Sequence, residues 1–263
     1  MNLENKIAVI TGAASGIGAA CARAFAARGA KIVVTDINRE GAHSVANEIG
    51  GLGLPCDISD EQAVIDLVAE VEASLGPVDV FFSNAGVATG GGPLDTPIAI
   101  WNQQWQINVM AHVFAVRAVL PGMLERGSGY LIHTASMAGI LSSHGNLPYA
   151  TTKHAVVGLA EWLAFTYHDK GIRTSLLAPL GVKTPMLEGT SLDSASMGQV
   201  KEPEEVADQV IEAVESERFL ILTDQIAQTW MEGKTHDLER WMGGMRRMQA
   251  RLDNTQDKIS GTT

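Results

Sequence analysis

The sequence predicts a doubly wound α/β fold, in which a single parallel sheet of seven strands carries helices on both faces. Three observations point there. Seven short apolar runs recur along the chain without alternating polar and apolar residues, as strands buried on both faces do. Longer stretches with helical spacing separate them, so strand–helix–strand units with right-handed crossovers follow. A glycine-rich turn joins the first strand to the first helix.

The strands are read at Ile7–Thr11, Lys31–Thr35, Gly53–Cys56, Val78–Ser83, Tyr130–Ala135, Arg173–Ala178 and Arg218–Leu222. One helix runs from Gly16 to Arg28. Another opens near Ser59, where Ser59 and Gln62 have capping-box spacing. A third starts at Thr96-Pro97, read as an N-cap followed by proline in the first helical position, and continues through Trp101, Trp105 and Val109 towards Leu124. A fourth spans Tyr149 to Lys170, and a fifth begins at Pro203, with Val206, Val210, Ile211 and Val214 on one side. Lys183–Gln199 is rich in Ser, Gly, Thr and Met and reads as a mobile substrate loop; Gln225–Asp257 reads as a helical extension beyond the last strand. No linker, repeat or low-complexity tract divides the chain, so 1–263 is read as one domain.

Composition narrows the function. With 46% hydrophobic and 19% charged residues, the chain can bury a sizeable core. A net charge of −11 repels phosphate backbones, so no nucleic-acid partner is expected. Two cysteines without a CxxC pair fit a reducing compartment and offer no disulfide framework. The histidines show no HxxxH pair and no cluster with cysteine, so no metal is expected. The N-terminus lacks a signal peptide and no apolar stretch reads as long enough to cross a bilayer, so a cytoplasmic protein without membrane contact is expected.

The chemistry gathers at the glycine turn. Thr11-Gly12-Ala13-Ala14-Ser15-Gly16-Ile17-Gly18 has GxxxGxG spacing. Glycines there let backbone N–H groups approach a pyrophosphate, and the helix N-terminus adds partial positive charge. Asp36 follows the second strand, where a carboxylate accepts from ribose hydroxyls and repels a 2′-phosphate. No basic residue stands at Ala13, Ala14 or Ser15, so NAD is the expected cofactor, with Arg39 the nearest residue that would weaken the preference.

Together with Asn84-Ala85-Gly86, Asn108, Ser136 and Tyr149-Ala150-Thr151-Thr152-Lys153, this turn resembles the short-chain dehydrogenase/reductase family over about residues 5–222. The resemblance implies a Rossmann-type NAD-dependent oxidoreductase. Tyr149 and Lys153 are four apart and share a helix face. The family role of Tyr149 is proton exchange with the alcohol or carbonyl, and a phenol titrating near pH 10 needs help from a nearby cation. By resemblance, Lys153 lowers the tyrosine pKa and holds the nicotinamide ribose. Ser136 bonds the substrate oxygen, and Asn108 holds a water linking Lys153 to solvent. The cofactor site implied comprises Gly12, Ser15, Gly16, Ile17, Gly18, Asp36, Asp57 with Ile58, Asn84, Ala85, Gly86, Tyr149, Lys153, Pro179, Val182 and Thr184. In this site Asp57 faces the adenine amino group and Thr184 the nicotinamide carboxamide. Leu180 departs from the family's usual glycine, and Ser83 from its usual asparagine.

The substrate is expected to be a small molecule, a hydrophobic secondary alcohol or its ketone such as a steroid, terpenoid or aryl alcohol. The segments expected to shape the pocket are mostly apolar and no carboxylate-binding arginine is evident in them. His144 is a second candidate for the pocket. Trp241, Met245 and Met248 form one helical stripe, which reads either as core or subunit interface or as a cap on the active site. A 3-oxoacyl-thioester reductase and a non-catalytic NAD(H) sensor are the alternatives. A homo-oligomer, tetramer or dimer, is expected through the helix that opens at Tyr149.

Overall fold

The structure, a computed structural model, describes residues 1–188 and 199–260. Its centre is a seven-stranded, all-parallel sheet with strand order β3-β2-β1-β4-β5-β6-β7. The strands are β1 (Ile7–Thr11), β2 (Lys31–Asp36), β3 (Leu52–Pro55), β4 (Val80–Ser83), β5 (Gly129–Thr134), β6 (Ile172–Ala178) and β7 (Leu220–Leu222). Val9 pairs with Val33 on one side and Phe81 on the other, so the order reverses between β2 and β4 across β1. That reversal leaves a crevice at the carboxyl ends of the strands, where open α/β sheets bind ligands.

The helices are α1 (Gly16–Ala27), α2 (Arg39–Ile49), α3 (Glu61–Ser74), α4 (Ile98–Trp105), α5 (Ala111–Arg126), α6 (Ala138–Leu141), α7 (Leu147–Tyr167), α8 (Pro185–Glu188), α9 (Pro203–Ser216), α10 (Gln225–His236) and α11 (Leu238–Ser260). Two apolar clusters cover the faces of the sheet. One joins Ile10, Val34 and Phe82 to Phe25 of α1 and to Val206 and Val210 of α9. The other joins Val9, Phe81 and Leu131 to Val68 of α3, Phe114 of α5 and Leu163 of α7.

The sequence reading needs several corrections. Ser59 does not cap α3. Its hydroxyl donates to Asp57 at 2.7 Å, and Asp60 caps instead, accepting from the Gln62 N–H at 2.9 Å. Pro97, not Thr96, is the N-cap of α4, because its extended ψ of 143° places it outside the helix. Helix α2 was not anticipated. Its buried side is only Ala42, Val45 and Ala46, a stripe too thin to stand out.

The third expected helix is interrupted by a π turn, Gln106–Met110, that joins α4 to α5. The continuous run Ile98–Arg126 is, by length and composition, apolar enough to cross a membrane, contrary to the sequence expectation. Over half of its apolar window is buried inside the protein, and its inward side carries the buried polar residues Gln104, Asn108 and His112. These features mark a core helix. The expected loop Lys183–Gln199 falls mostly outside the described residues, with α8 at its start.

Candidate active site

The phosphate turn is held open by its glycines. Gly12 has φ +63°, and a Cβ there would lie 2.7 Å from Ala85 Cα. At Gly18 a Cβ would come within 2.4 Å of the Gly12 carbonyl oxygen. Ser15 is the N-cap of α1 but makes no side-chain cap bond, so its hydroxyl does not occupy the donors of the first turn. An anion fits this cradle. The Asp36 carboxylate stands beside it, accepting from the Ala14 N–H at 3.1 Å and the Asn38 N–H at 2.9 Å. Asp57 accepts from both Ser59 N–H and Ser59 Oγ.

Asn84 ties the strand ends together. Its N–H and that of Ala85 donate to Thr11 Oγ1 at 2.9 and 3.0 Å. Its side chain donates to the Thr11 carbonyl at 3.1 Å and accepts from Thr134 Oγ1 at 3.1 Å. The Asn84 side chain therefore fixes the turn through protein partners.

At the other end of the crevice, Ser136, Tyr149 and Lys153 converge. Ser136 follows β5, and its Oγ accepts from the Ala138 N–H at 3.1 Å. Tyr149 and Lys153 lie in the first turns of α7, which begins with Leu147-Pro148. The lysine is 2% exposed, and its Nζ donates to the Thr134 carbonyl at 2.8 Å. It sits 5.6 Å from the centre of the Tyr149 ring.

Burial raises the Tyr149 phenol above its ordinary pKa, partly offset by its hydrogen bond with Ser136. Lys153, whose Nζ donates to the Thr134 carbonyl, is not among the groups that shift the phenol. Burial also lowers the Lys153 pKa to about 8.

Asn108 is fully buried in the π turn. Its Oδ1 accepts from the Val87 N–H at 2.9 Å, and its Nδ2 donates to the Val87 carbonyl at 2.9 Å and to Thr152 Oγ1 at 3.1 Å. The side chain clamps the segment after β4 to α7, one residue from Lys153. Gly86 completes the packing, since a Cβ there would lie 3.2 Å from Asn108 Oδ1 and 3.4 Å from Lys153 Nζ.

The lysine's lowered pKa has a consequence for stability. Below pH 8 it is charged in both the folded and unfolded chain, and burying the charge is unfavourable. Between pH 8 and its ordinary 10.5, the folded form loses its proton first and the penalty fades. Lys153→Met is therefore expected to be the more stable protein at pH 7, by about 2 kcal/mol after allowing for the unpaired Thr134 carbonyl. The gap should close towards pH 10. Urea unfolding of both proteins at the two pH values, without cofactor, measures it; a gap independent of pH would contradict the assignment.

One cavity of about 1360 Å³ runs along the whole crevice. Gly12, Ser15, Gly16, Ile17, Asp36, Asp57, Ile58, Asn84, Ala85, Gly86, Ser136, Tyr149, Lys153, Pro179, Val182 and Thr184 all line it. Gly18 and Asn108 do not. Gly18 supports the turn against Gly12 and Ala13, and Asn108 stands behind Lys153. Leu180 also lines the cavity and packs with Met137, Leu141, Trp230 and Trp241. Its φ is not in the left-handed region, so the backbone there does not need the missing glycine.

Trp241, Met245 and Met248 face the cavity from α11, which places the C-terminal stripe on the site. His144 lines it too, with Nδ1 2.7 Å from Gln249 Oε1 of the same helix. Trp230, in the C-terminal stretch expected to shape the pocket, lines it as well; sequence reasoning missed Ile37, Arg240 and Arg247. For the arginines a signal existed, since they are seven apart and adjoin the Trp241 stripe.

Comparison with known proteins agrees with this geometry. The sequence signature of the family described as short chain dehydrogenase matches residues 6–195, and the chain belongs to that family. It is an oxidoreductase of the alcohol-dehydrogenase type. A 1-deoxy-11-beta-hydroxypentalenate dehydrogenase of Streptomyces exfoliatus is 36% identical over 249 residues, covering 91% of this chain and 90% of that one. Human epidermal retinol dehydrogenase 2 is 32% identical, over 84% of this chain and 74% of its own. Among solved structures, a short chain dehydrogenase/reductase from Burkholderia phymatum in complex with NAD superimposes with a TM-score of 0.83. It is 28% identical, with 91% of this chain and 96% of that one covered.

Proposed function

We propose that the protein transfers a hydride between NAD(H) and a secondary alcohol or ketone on a bulky apolar skeleton. The observation that carries this reading is the continuity of the cavity. It passes from the glycine turn and Asp36, by Ser136, Tyr149 and Lys153, to a wall made of Leu141, Leu180, Trp230, Trp241, Met245 and Met248. Relatives named for a hydroxypentalenate and for retinol, the latter a primary alcohol, favour the bulky apolar skeleton.

The turn from Gly12 to Gly18 would hold the pyrophosphate, Asp36 the adenosine ribose, and Asp57 with Ile58 the adenine. Asn84, Ala85 and Gly86 would border the ribose. Pro179, Val182 and Thr184 would surround the nicotinamide, and Lys153 its ribose. NAD(H), when bound, supplies or accepts the hydride. In the direction of oxidation, Tyr149 Oη takes the hydroxyl proton as the carbinol carbon gives up its hydride and the carbonyl forms. Ser136 Oγ donates to the substrate oxygen and stabilises its developing charge. Asn108 is a positioning residue that fixes α7 and hence Lys153, and a water beside it would carry protons onward.

NAD rather than NADP follows from Asp36 and from a turn without basic residues. Asp36→Asn keeps the acceptor for the backbone and removes the charge. The ratio of kcat/KM with NADP⁺ to that with NAD⁺ is expected to rise roughly tenfold or more; an unchanged ratio would remove Asp36 from the selectivity. We further propose a cytoplasmic homo-oligomer, tetramer or dimer, packed through α7. Its outer side exposes Trp162 and Phe165, the latter 73% exposed.

The experiment follows nicotinamide absorbance with NAD⁺ or NADP⁺ and a panel of secondary alcohols, from small diols to steroids. Turnover of bulky apolar alcohols is the expected result. Turnover of small polar polyols alone would overturn the substrate class. Cofactor binding without any turnover would point to a sensor.

A further inference from the structure

Helix α11 forms one wall of the cavity with a single face. At 3.6 residues per turn, Arg240 and Arg247 fall along one edge of that face. Trp241, Met245 and Met248 lie along the other, with Gly244 between them. The two arginines are two turns apart, roughly 10 Å along the axis. Both are exposed at the margin of the cavity.

Arg23, Arg28, Arg117, Arg173 and Arg218 each pair with a glutamate. Among the described residues, Arg240 and Arg247 pair with no carboxylate. The nearby Asp237 carboxylate accepts from the backbone N–H of Arg240 at 2.9 Å. Two guanidinium groups without a carboxylate partner among the described residues thus flank a helix face that is otherwise apolar.

The glycines opposite and between them leave room. Gly233 of α10 and Gly244 both line the cavity in mid-helix, where glycine is unfavourable. A Cβ at Gly233 would meet nothing within 4 Å, and one at Gly244 only the end of Arg247, at 3.9 Å. Packing does not require glycine at either position. Space in the cavity is what their lack of a side chain provides.

We infer that the substrate is a hydroxy acid: a secondary alcohol on an apolar skeleton whose carboxylate is held at the cavity mouth by Arg240 and Arg247. This inference rests on the alcohol-dehydrogenase reading above. A guanidinium fork donates two parallel hydrogen bonds to a carboxylate, and the skeleton then lies on Trp241 and the methionines with its hydroxyl towards Tyr149.

The test compares a polycyclic hydroxy acid with its methyl ester, using NAD⁺ and the full-length enzyme. The expected result is a kcat/KM for the acid roughly tenfold or more above that for the ester, a preference that shrinks as salt is added. Arg240→Ala/Arg247→Ala removes the preference by lowering kcat/KM for the acid far more than for the ester, while the paired lysine substitutions restore part of it. Equal rates for acid and ester, or equal losses for both in the alanine variant, would overturn the inference and leave the alcohol-dehydrogenase reading standing. So would faster turnover of a hydroxyacyl coenzyme A thioester than of the acid. Failure to oxidise either the acid or the ester, or to reduce the matching ketones, would overturn that reading itself and the inference with it.

Discussion

Tyr149→Phe should lower kcat by about 10²- to 10⁴-fold while leaving the affinity for NAD(H) nearly unchanged. The substitution keeps the ring in its half-buried place and removes only the phenol oxygen. Ser136 retains its bond from the Ala138 N–H, so stability should move by no more than about 1 kcal/mol. A large loss of stability would mean that the tyrosine acts through packing instead. The wild type should also show a pH asymmetry. Burial holds the phenol protonated at neutral pH, as ketone reduction requires. Alcohol oxidation should therefore gain as the pH rises, and that gain should vanish in the phenylalanine variant. Initial rates in both directions measure it.

Gly12→Ala should cost both fold and cofactor. At φ +63° an alanine is strained, and its Cβ would stand 2.7 Å from Ala85 Cα, a backbone atom that cannot swing aside. We expect a loss of about 2–4 kcal/mol in stability and roughly a 100-fold loss in NAD affinity, because the turn and the strand end held by Asn84 must separate. Gly50→Ala isolates strain from collision. Gly50 has φ +66° with nothing within 4 Å of the added Cβ. It should lose only about 1 kcal/mol and keep its cofactor affinity. Equal effects at the two sites would show that the contact with Ala85 is irrelevant.

Most of the sheet was legible because a strand buried on both faces must be apolar throughout. Ile7–Thr11 agrees to the residue, and the expected start of β4 differs by only two. The pair Tyr149 and Lys153 was legible for a similar local reason, since a helix repeats every 3.6 residues. Other features depend on partners far along the chain. Asn84 works through Thr11, 73 residues away, and nothing near Asn84 announces it. The π turn at Asn108 carries no compositional mark, because its helix is apolar on either side. The stripe of Trp241, Met245 and Met248 was visible as a period, but a period does not say what a face covers. Its position over the cavity is set by how α10 and α11 fold back against α6. The arginines escaped notice because a charge on a helix normally belongs to its solvated face.

In the proposed reaction an alcohol carbon passes its hydride to the nicotinamide under the control of Tyr149. The most direct measurement offers a bulky secondary alcohol deuterated at its carbinol carbon together with NAD⁺, and weighs the reduced cofactor by mass spectrometry. One deuteron is expected in the NADH formed by the wild type and almost no labelled NADH from Tyr149→Phe. Bound cofactor that stays unlabelled in the wild type with every alcohol of the panel, or equal labelling by the variant, would contradict it.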